Sequence, residues 1–435
     1  MKMKTRFGVG ADWPIDYRTL EPYYQQAEEF VGVAGPPNQT ARFRSKPFPQ
    51  AAHALSYASQ QAARACQRLG MRWEPNSMAV LSQAKDSRPE CNYCGQCQRG
   101  CPRRDKGSVD VTFLPSAVNS GHCTIRARCQ VNRLVGDDQK RVTAVEFLNE
   151  QGVAETVNAT IVVVACGAIE TPRLLLMSRN GALPQGIGNE SGEVGRNFME
   201  TLAWSSTGLH PQNLGSHRGL PADGICWDFN APDAIPSPDS SPATKVIGGM
   251  RLSMLTLEND FAGPINYATR IVKGWGIQHK KHMKQQLGHA ISIGAIGECL
   301  PHKDSYISLD GRQVNAQGRP LAQIHSYLDN MAVQRLAFMA QKSRDLLKAM
   351  GVKSLIEETS TYDIFHSTHV FGTCRMGRNP MKSVVNEHCQ HHYWKNLYIV
   401  DASVFPSTGG GEAPSLTIEA LALRSAEHIH AQLTT

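Results

Sequence analysis

The sequence lacks any apolar run long enough to cross a bilayer. Stretches such as Ile161–Cys166 fall far short of the roughly 20 residues that a spanning helix requires. It also lacks a visible secretory leader, because Met1–Gly10 is basic without an apolar segment. The chain is therefore expected to be soluble, without a transmembrane segment, and cytoplasmic as it stands. Aromatic residues are sparse at 7% and do not interleave with basic ones. The net charge of +7 is dispersed, and its densest stretch, Lys273 to Lys284, reads as a solvated face. That pattern argues against a nucleic-acid partner. Internal repeats are missing, which excludes solenoids and propellers. Also missing is a strand followed by G-x-G-x-x-G, the loop whose backbone amides approach a dinucleotide pyrophosphate. Gly8 and Gly10 lead into Ala-Asp-Trp-Pro, and Pro14 argues against a helix start there. Gly186 and Gly188 are followed by Gly192, one residue late and with no buried strand before them.

What is present is an ordinary globular composition over 435 residues, 41% hydrophobic and 19% charged, enough for two or more domains. Leu20, Tyr24, Ala27 and Val31 fall at helical spacing behind Thr19 as an N-cap. A second helix is expected over Ser56–Leu69. VTAVEFLNEQG and VAETVNA form a hairpin turning at Asn149–Gly152. Ile161–Ala165 is a β-branched run that suits a strand buried on both faces. Ile169–Ser178 then reads as a helix with Pro172 in its first turn. Pro221–Thr244, rich in Pro, Asp and Ser, reads as a surface loop, and Ala332–Met350 as a long helix stopped by Gly351. Near the end, a second buried-strand pattern, NLYIV, precedes Gly409–Gly411 and a helix carrying Leu416, Ala420 and Leu423 on one face. Strands that run into glycine turns and then helices are how α/β folds bind ligands at strand ends. A helix starting near Pro414 aims its free N–H groups at an anionic group.

Three segments, in order, resemble signatures of the glucose–methanol–choline (GMC) oxidoreductase family. They are IVVVACGAIETPRLLLMS at 161–178, HVFGTCRMG at 369–377, and NLYIVDASVFPSTGGGEAPSLTIEALALR at 396–424. The segments at Asp12-Trp13-Pro14 and GCPRRDKGS from Gly100 resemble the subset of FAD-dependent gluconate, fructose and glucose dehydrogenase large subunits. The resemblance implies an α/β fold, with a discontinuous FAD-binding domain and an α+β substrate-binding domain. It implies the divisions 1–90 (lid and connecting region), 91–202 (middle of the FAD domain), 203–365 (substrate-binding domain) and 366–435 (C-terminal part of the FAD domain). In the family the glycine fingerprint lies ahead of the DWP segment, so an N-terminally truncated FAD domain is expected. The implied cofactor-binding residues are Gly167, Ala168, Thr171, Asp401, Ala402, Ala413 and Pro414, with Asp401 against the flavin's linker.

The implied reaction oxidises a CH–OH group of a sugar, sugar acid or other alcohol, passing hydride to the flavin with a histidine as general base. His369 is that base by its place before Gly-Thr-Cys-Arg-Met-Gly, and His366 is the fallback. The family usually places a second His or Asn where this chain has Ala413. That leaves Glu412 or a water for the second role. Cys91, Cys94, Cys97 and Cys101 have the ferredoxin-like spacing C-x2-C-x2-C-x3-C-P. A two-cluster ferredoxin is excluded because there is one run, and zinc is disfavoured by the short gap between cysteine pairs. Cys91, Cys97 and Cys101 resemble the [3Fe–4S] ligands of FAD-dependent sugar dehydrogenases, with Cys94 as the further ligand of a [4Fe–4S] centre. The alternative is a buried turn with free thiols or a disulfide, and both readings stay open at this point. A cluster implies a haem protein or quinone as electron acceptor. The rival readings are a non-catalytic fragment needing a separate FAD-binding segment, and an iron–sulfur electron-transfer protein.

Overall fold

A computed structural model of the chain describes residues 1–37, 42–236, 246–261, 263–365 and 369–434. The first long helix, Tyr17–Val31, starts one turn earlier than Thr19 suggests. Asp16 is the N-cap, and its carboxylate accepts the Thr19 N–H at 2.9 Å. A carboxylate at this position meets both an orphan amide and the positive end of the helix dipole. Leu20, Ala27 and Val31 are buried as their spacing requires. The second helix, Tyr57–Arg68, is capped by Ser56.

The largest sheet has six antiparallel strands. Their order is Leu355–Ser360, Leu202–Leu209, Ala290–Gly297, Met250–Met254, Gly224–Cys226 and Glu74–Pro75. The helix Asn330–Met350 packs across its central strands. Asp329 caps that helix, and Gly351 ends it at φ +96°. The stretch expected as a surface loop, 221–244, instead contributes the wholly buried strand Gly224–Cys226. Three residues are too few for hydrophobic periodicity to register against the surrounding Pro and Asp. Residues 237–245 of that stretch lie outside the described residues.

The hairpin forms as expected, Val142–Leu148 against Ala154–Asn158, with Gln130–Gly136 as a third antiparallel strand. The IVVVA run forms only the short strand Val162–Val164, paired in parallel with Leu397–Ile399. It is not buried on both faces. Val162 and Val164 point into the core, but Val163 is 49% exposed. Alternate strand residues face opposite sides, and Val162–Val164 is covered on one side only, whereas its partner Leu397–Ile399 is buried throughout.

The following helix spans Gly167–Met177, so Pro172 is its sixth residue and not in its first turn. A proline there has no N–H for the carbonyl four residues back, that of Ala168. The Ala168 carbonyl instead accepts the Thr373 hydroxyl at 2.7 Å.

Candidate active site

The three signature segments, far apart in sequence, are tied together by hydrogen bonds. Asp401 ends the strand Leu397–Ile399 and is buried. One carboxylate oxygen accepts the Gly167 N–H at 2.9 Å and the Thr171 hydroxyl at 2.6 Å. The other accepts the Ser403 N–H at 2.7 Å. Thr171 in turn accepts the Cys166 N–H at 3.1 Å. The Gly372 and Cys374 N–H groups donate to the Ala402 and Ser403 carbonyls at 3.2 and 2.8 Å. With the Thr373–Ala168 bond, Gly167, Ala168, Thr171, Asp401 and Ala402 form one cluster with the Gly-Thr-Cys segment. The DWP segment joins it, because buried Trp13 donates its indole N–H to Ser407 at 2.9 Å and packs on Phe405.

His369 sits at the edge of this cluster. Its carbonyl accepts the Thr201 N–H at 2.9 Å, and Val370–Phe371 pairs with Met199–Glu200. Its side chain is half-buried. Leu202, next to Thr201, pairs with Gly297 at the end of a central sheet strand. The loop before the C-terminal helix reaches the same strand end. There the Cys299 N–H donates to Thr408 at 3.1 Å. His369 and the glycine loop thus both lie near one end of the six-stranded sheet. His366 lies outside the described residues.

A cavity of about 550 Å³ opens beside that loop. Its wall includes Lys106–Val109, Trp227, Arg251, Glu412, Ala413 and the first turns of the helix Ser415–Thr434. The volume lies within the ~300–1,000 Å³ usual for small-molecule and cofactor sites. Ala413 is exposed to it, and Pro414 precedes the helix start, whose free N–H groups lie at the cavity wall.

Glu412 is held by charge and hydrogen bonds. Arg42 pairs with it at 2.7 Å, and the Asn230 amide donates to the same oxygen at 3.1 Å. The Arg42 guanidinium stacks 4.3 Å over the Trp227 ring. Arg251 donates to the Gly411 carbonyl at 2.7 Å and Asn230 to that of Gly410 at 2.8 Å, so both brace the glycine loop. Two polar atoms at this wall, Glu412 Oε2 and Trp227 Nε1, are buried without a protein partner among the described residues. An acceptor and a donor left open beside a cavity fit a ligand that supplies both. The ring end of FAD and a hydroxylated substrate both do so.

Sequence reading missed Arg42, Arg251 and Glu419. Arg251 was visible as a charge inside the otherwise buried strand Met250–Met254. Glu419, on the wall, has its carboxyl pushed up to about 7 by burial. Glu298, at the sheet end, is also raised to about 7 by burial, against the opposing charge of Arg335.

All twelve cysteines are free thiols. Cys101 donates to the buried Asp105 at 2.9 Å, Cys94 faces solvent, and Cys97 is buried. Burial pushes the Cys91 thiol up to about 12 and Cys97 to about 11. Among the described residues no three His, Cys, Asp or Glu side chains gather to hold a metal ion. Within the run Cys97 is buried, Cys91 and Cys101 are half-buried and Cys94 is exposed. Nor is any helix among the described residues long and apolar enough to cross a membrane.

Two GMC oxidoreductase family models match, over residues 2–203 and 301–422. The chain is 30% identical over 433 residues to 6'''-hydroxyparomomycin C oxidase of Streptomyces lividus, covering 98% of this chain and 73% of that protein. It is 27% identical over 440 residues to the fructose dehydrogenase large subunit of Gluconobacter japonicus, covering 98% and 76%. Among solved structures, pyridoxine 4-oxidase from Mesorbium loti superposes with a TM-score of 0.62 at 16% identity, over 99% of this chain and 80% of that one. That likeness speaks to the fold alone, an α/β architecture with FAD-binding and substrate-binding parts. Taken with the linked signatures and the cavity beside them, these matches place the chain in the GMC oxidoreductase family.

Proposed function

We propose that this chain oxidises a CH–OH group of a polyhydroxylated small molecule, with His369 as the general base and Glu412 as a second polar group at the substrate oxygen. The reaction class and FAD follow from the family. The substrate class and the residue roles are the proposal. Its main support is that His369 and the glycine loop leading to Glu412, Ala413 and the helix start both reach one sheet end. Arg42, Asn76, Ser77 and Glu412 line that cavity, giving it the hydrogen-bonding density that suits a sugar, sugar acid or aminoglycoside. Fructose and hydroxyparomomycin stand in the names of its relatives.

Bound FAD supplies the hydride acceptor. His369 takes the hydroxyl proton as the C–H bond is lost, which an imidazole does well near neutrality. Glu412, fixed by Arg42 and Asn230, orients the hydroxyl through its open oxygen. Ala413 can do neither. Gly167, Ala168, Thr171, Asp401 and Ala402 hold the backbone that carries these groups, and Ala413 and Pro414 present the helix start to the cofactor. The division into 1–90, 91–202, 203–365 and 366–435 belongs to the same proposal. So does an external haem protein or quinone as electron acceptor. With flavin content confirmed, His369→Ala should lower kcat by roughly 10²–10⁴-fold. Unchanged turnover would remove His369 from the base role.

A further inference from the structure

Between the sheet strands Met250–Met254 and Ala290–Gly297 the chain makes a long excursion. From Phe261 to Gly297 it contains no aspartate or glutamate, but it does contain Arg270, Lys273, Lys280, Lys281 and Lys284. The helix Gly276–Gln286 lies in this excursion. Its inner side rests on a small core of its own, where Met283 and Leu287 pack against Phe261, Tyr267, Ile271, Val272 and Ala290. The outer side carries Ile277, Lys280, Lys281 and Lys284, at the three- and four-residue spacings that share one helix face. None of the four lysines forms an ion pair among the described residues.

The apolar side chains here are as unusual as the charge. Trp275 is 90% exposed, more than any other large hydrophobic side chain among the described residues. Ile277 is 66% exposed and Ile265 75%. Single exposed apolar residues need no explanation. A tryptophan held out between two glycines, with an isoleucine and three lysines on the adjoining helix face, is a different composition. Tryptophan favours the headgroup level of a bilayer, and lysines around it meet anionic headgroups.

We propose that this face, Trp275 and Ile277 with Lys280, Lys281 and Lys284, is a peripheral docking surface for anionic lipid. A second copy of the chain is a poor occupant. A two-fold contact sets the same patch against itself, which would oppose lysine to lysine with no carboxylate between Phe261 and Gly297 to relieve them. An acidic protein would answer the lysines but would also need a pocket for Trp275.

The test is flotation of the full chain with phosphatidylcholine vesicles, with and without about one third phosphatidylglycerol, at low and high salt. Binding should require the anionic lipid and weaken with salt. Replacing Lys280, Lys281 and Lys284 by Ala should lower partitioning about fivefold per lysine. Trp275→Ser should weaken it while leaving the salt dependence in place. None of these residues lies in the proposed active site, so turnover and thermal stability should be unchanged in both variants. Equal binding to neutral vesicles, no binding at all, or an unaffected triple variant would each overturn the proposal. So would a lipid-free dimer that Trp275→Ser dissociates, or capture by polyglutamate without capture by vesicles.

Discussion

Thr373→Val should destabilise the protein, and Pro172→Ala should cancel much of that loss. In the wild type the Ala168 carbonyl has no helical donor, because the residue four positions on is Pro172, and the buried Thr373 hydroxyl takes that place at 2.7 Å. Valine keeps the shape of threonine but leaves a buried carbonyl without a partner, which costs about 1–3 kcal/mol. Alanine at 172 restores an N–H within the helix, so the carbonyl regains its regular donor. Pro172→Ala alone should change little, since relief of the ring clash offsets roughly 0.4–1 kcal/mol of added freedom in the unfolded chain. In the Pro172→Ala background Thr373→Val should therefore cost about 1 kcal/mol less than in the wild type. The assay is urea unfolding of all four proteins, followed by tryptophan fluorescence. The coupling is the difference between the two costs of Thr373→Val. Equal costs in the two backgrounds, within about 0.5 kcal/mol, would refute the idea that the hydroxyl substitutes for the amide that proline lacks.

Asp401→Ala leaves the Gly167 N–H, the Thr171 hydroxyl and the Ser403 N–H without their acceptor, and should cost about 1–3 kcal/mol for each donor that stays buried and unsatisfied. Asp401→Asn should recover part of this by keeping one oxygen, and a loss under about 0.5 kcal/mol for the alanine variant would show that the carboxylate is not the tie between the segments. Burial raises the Glu419 carboxyl to about 7. The folded state therefore holds that proton more tightly than the unfolded chain does, so the stabilising contribution is complete below about pH 4.5 and is lost as pH rises through about 7. Glu419→Gln should flatten stability between pH 5 and 8 (window from), and identical pH profiles would count against the shift. In native protein, buried Cys97, with its thiol near 11, should react with a maleimide at least about a hundredfold more slowly than exposed Cys94. Equal rates, or stoichiometric iron after anaerobic reconstitution, would contradict the free-thiol turn.

Much of the site could be read from the chain because its signatures carry local chemistry. Gly-Ala followed by Thr-Pro, the Gly-Thr after His369, and Asp401 after a β-branched strand each place a backbone requirement next to a side chain that meets it. The structure adds that these requirements answer one another across the fold. What could not be read was orientation and company. Cysteine spacing says nothing about where sulfurs point, and Cys101 turns to Asp105 instead of to its neighbours. The strand Gly224–Cys226 hides among loop-forming residues, because its burial comes from partner strands and not from its own pattern. Arg42 reaches the wall through Glu412, which is 370 residues away. Val163 was misjudged for a related reason, since the number of layers packed on a strand is set by the rest of the fold.

The parallel strand pair has a consequence in time. Gly167 and Asp401 are 234 residues apart in the chain, and at ~5–20 residues per second of synthesis the first waits on the order of tens of seconds for the second. Strands with such distant partners are late to form. The six-stranded sheet lacks no strand once Ser360 has emerged, well before Leu397 exists. During that interval Val162–Val164 has no strand to pair with, and its valines are open to a chaperone or to another nascent chain. The tie from Asp401 to Gly167 and Thr171 is made only at this delayed closure, so the linked signature segments become native late.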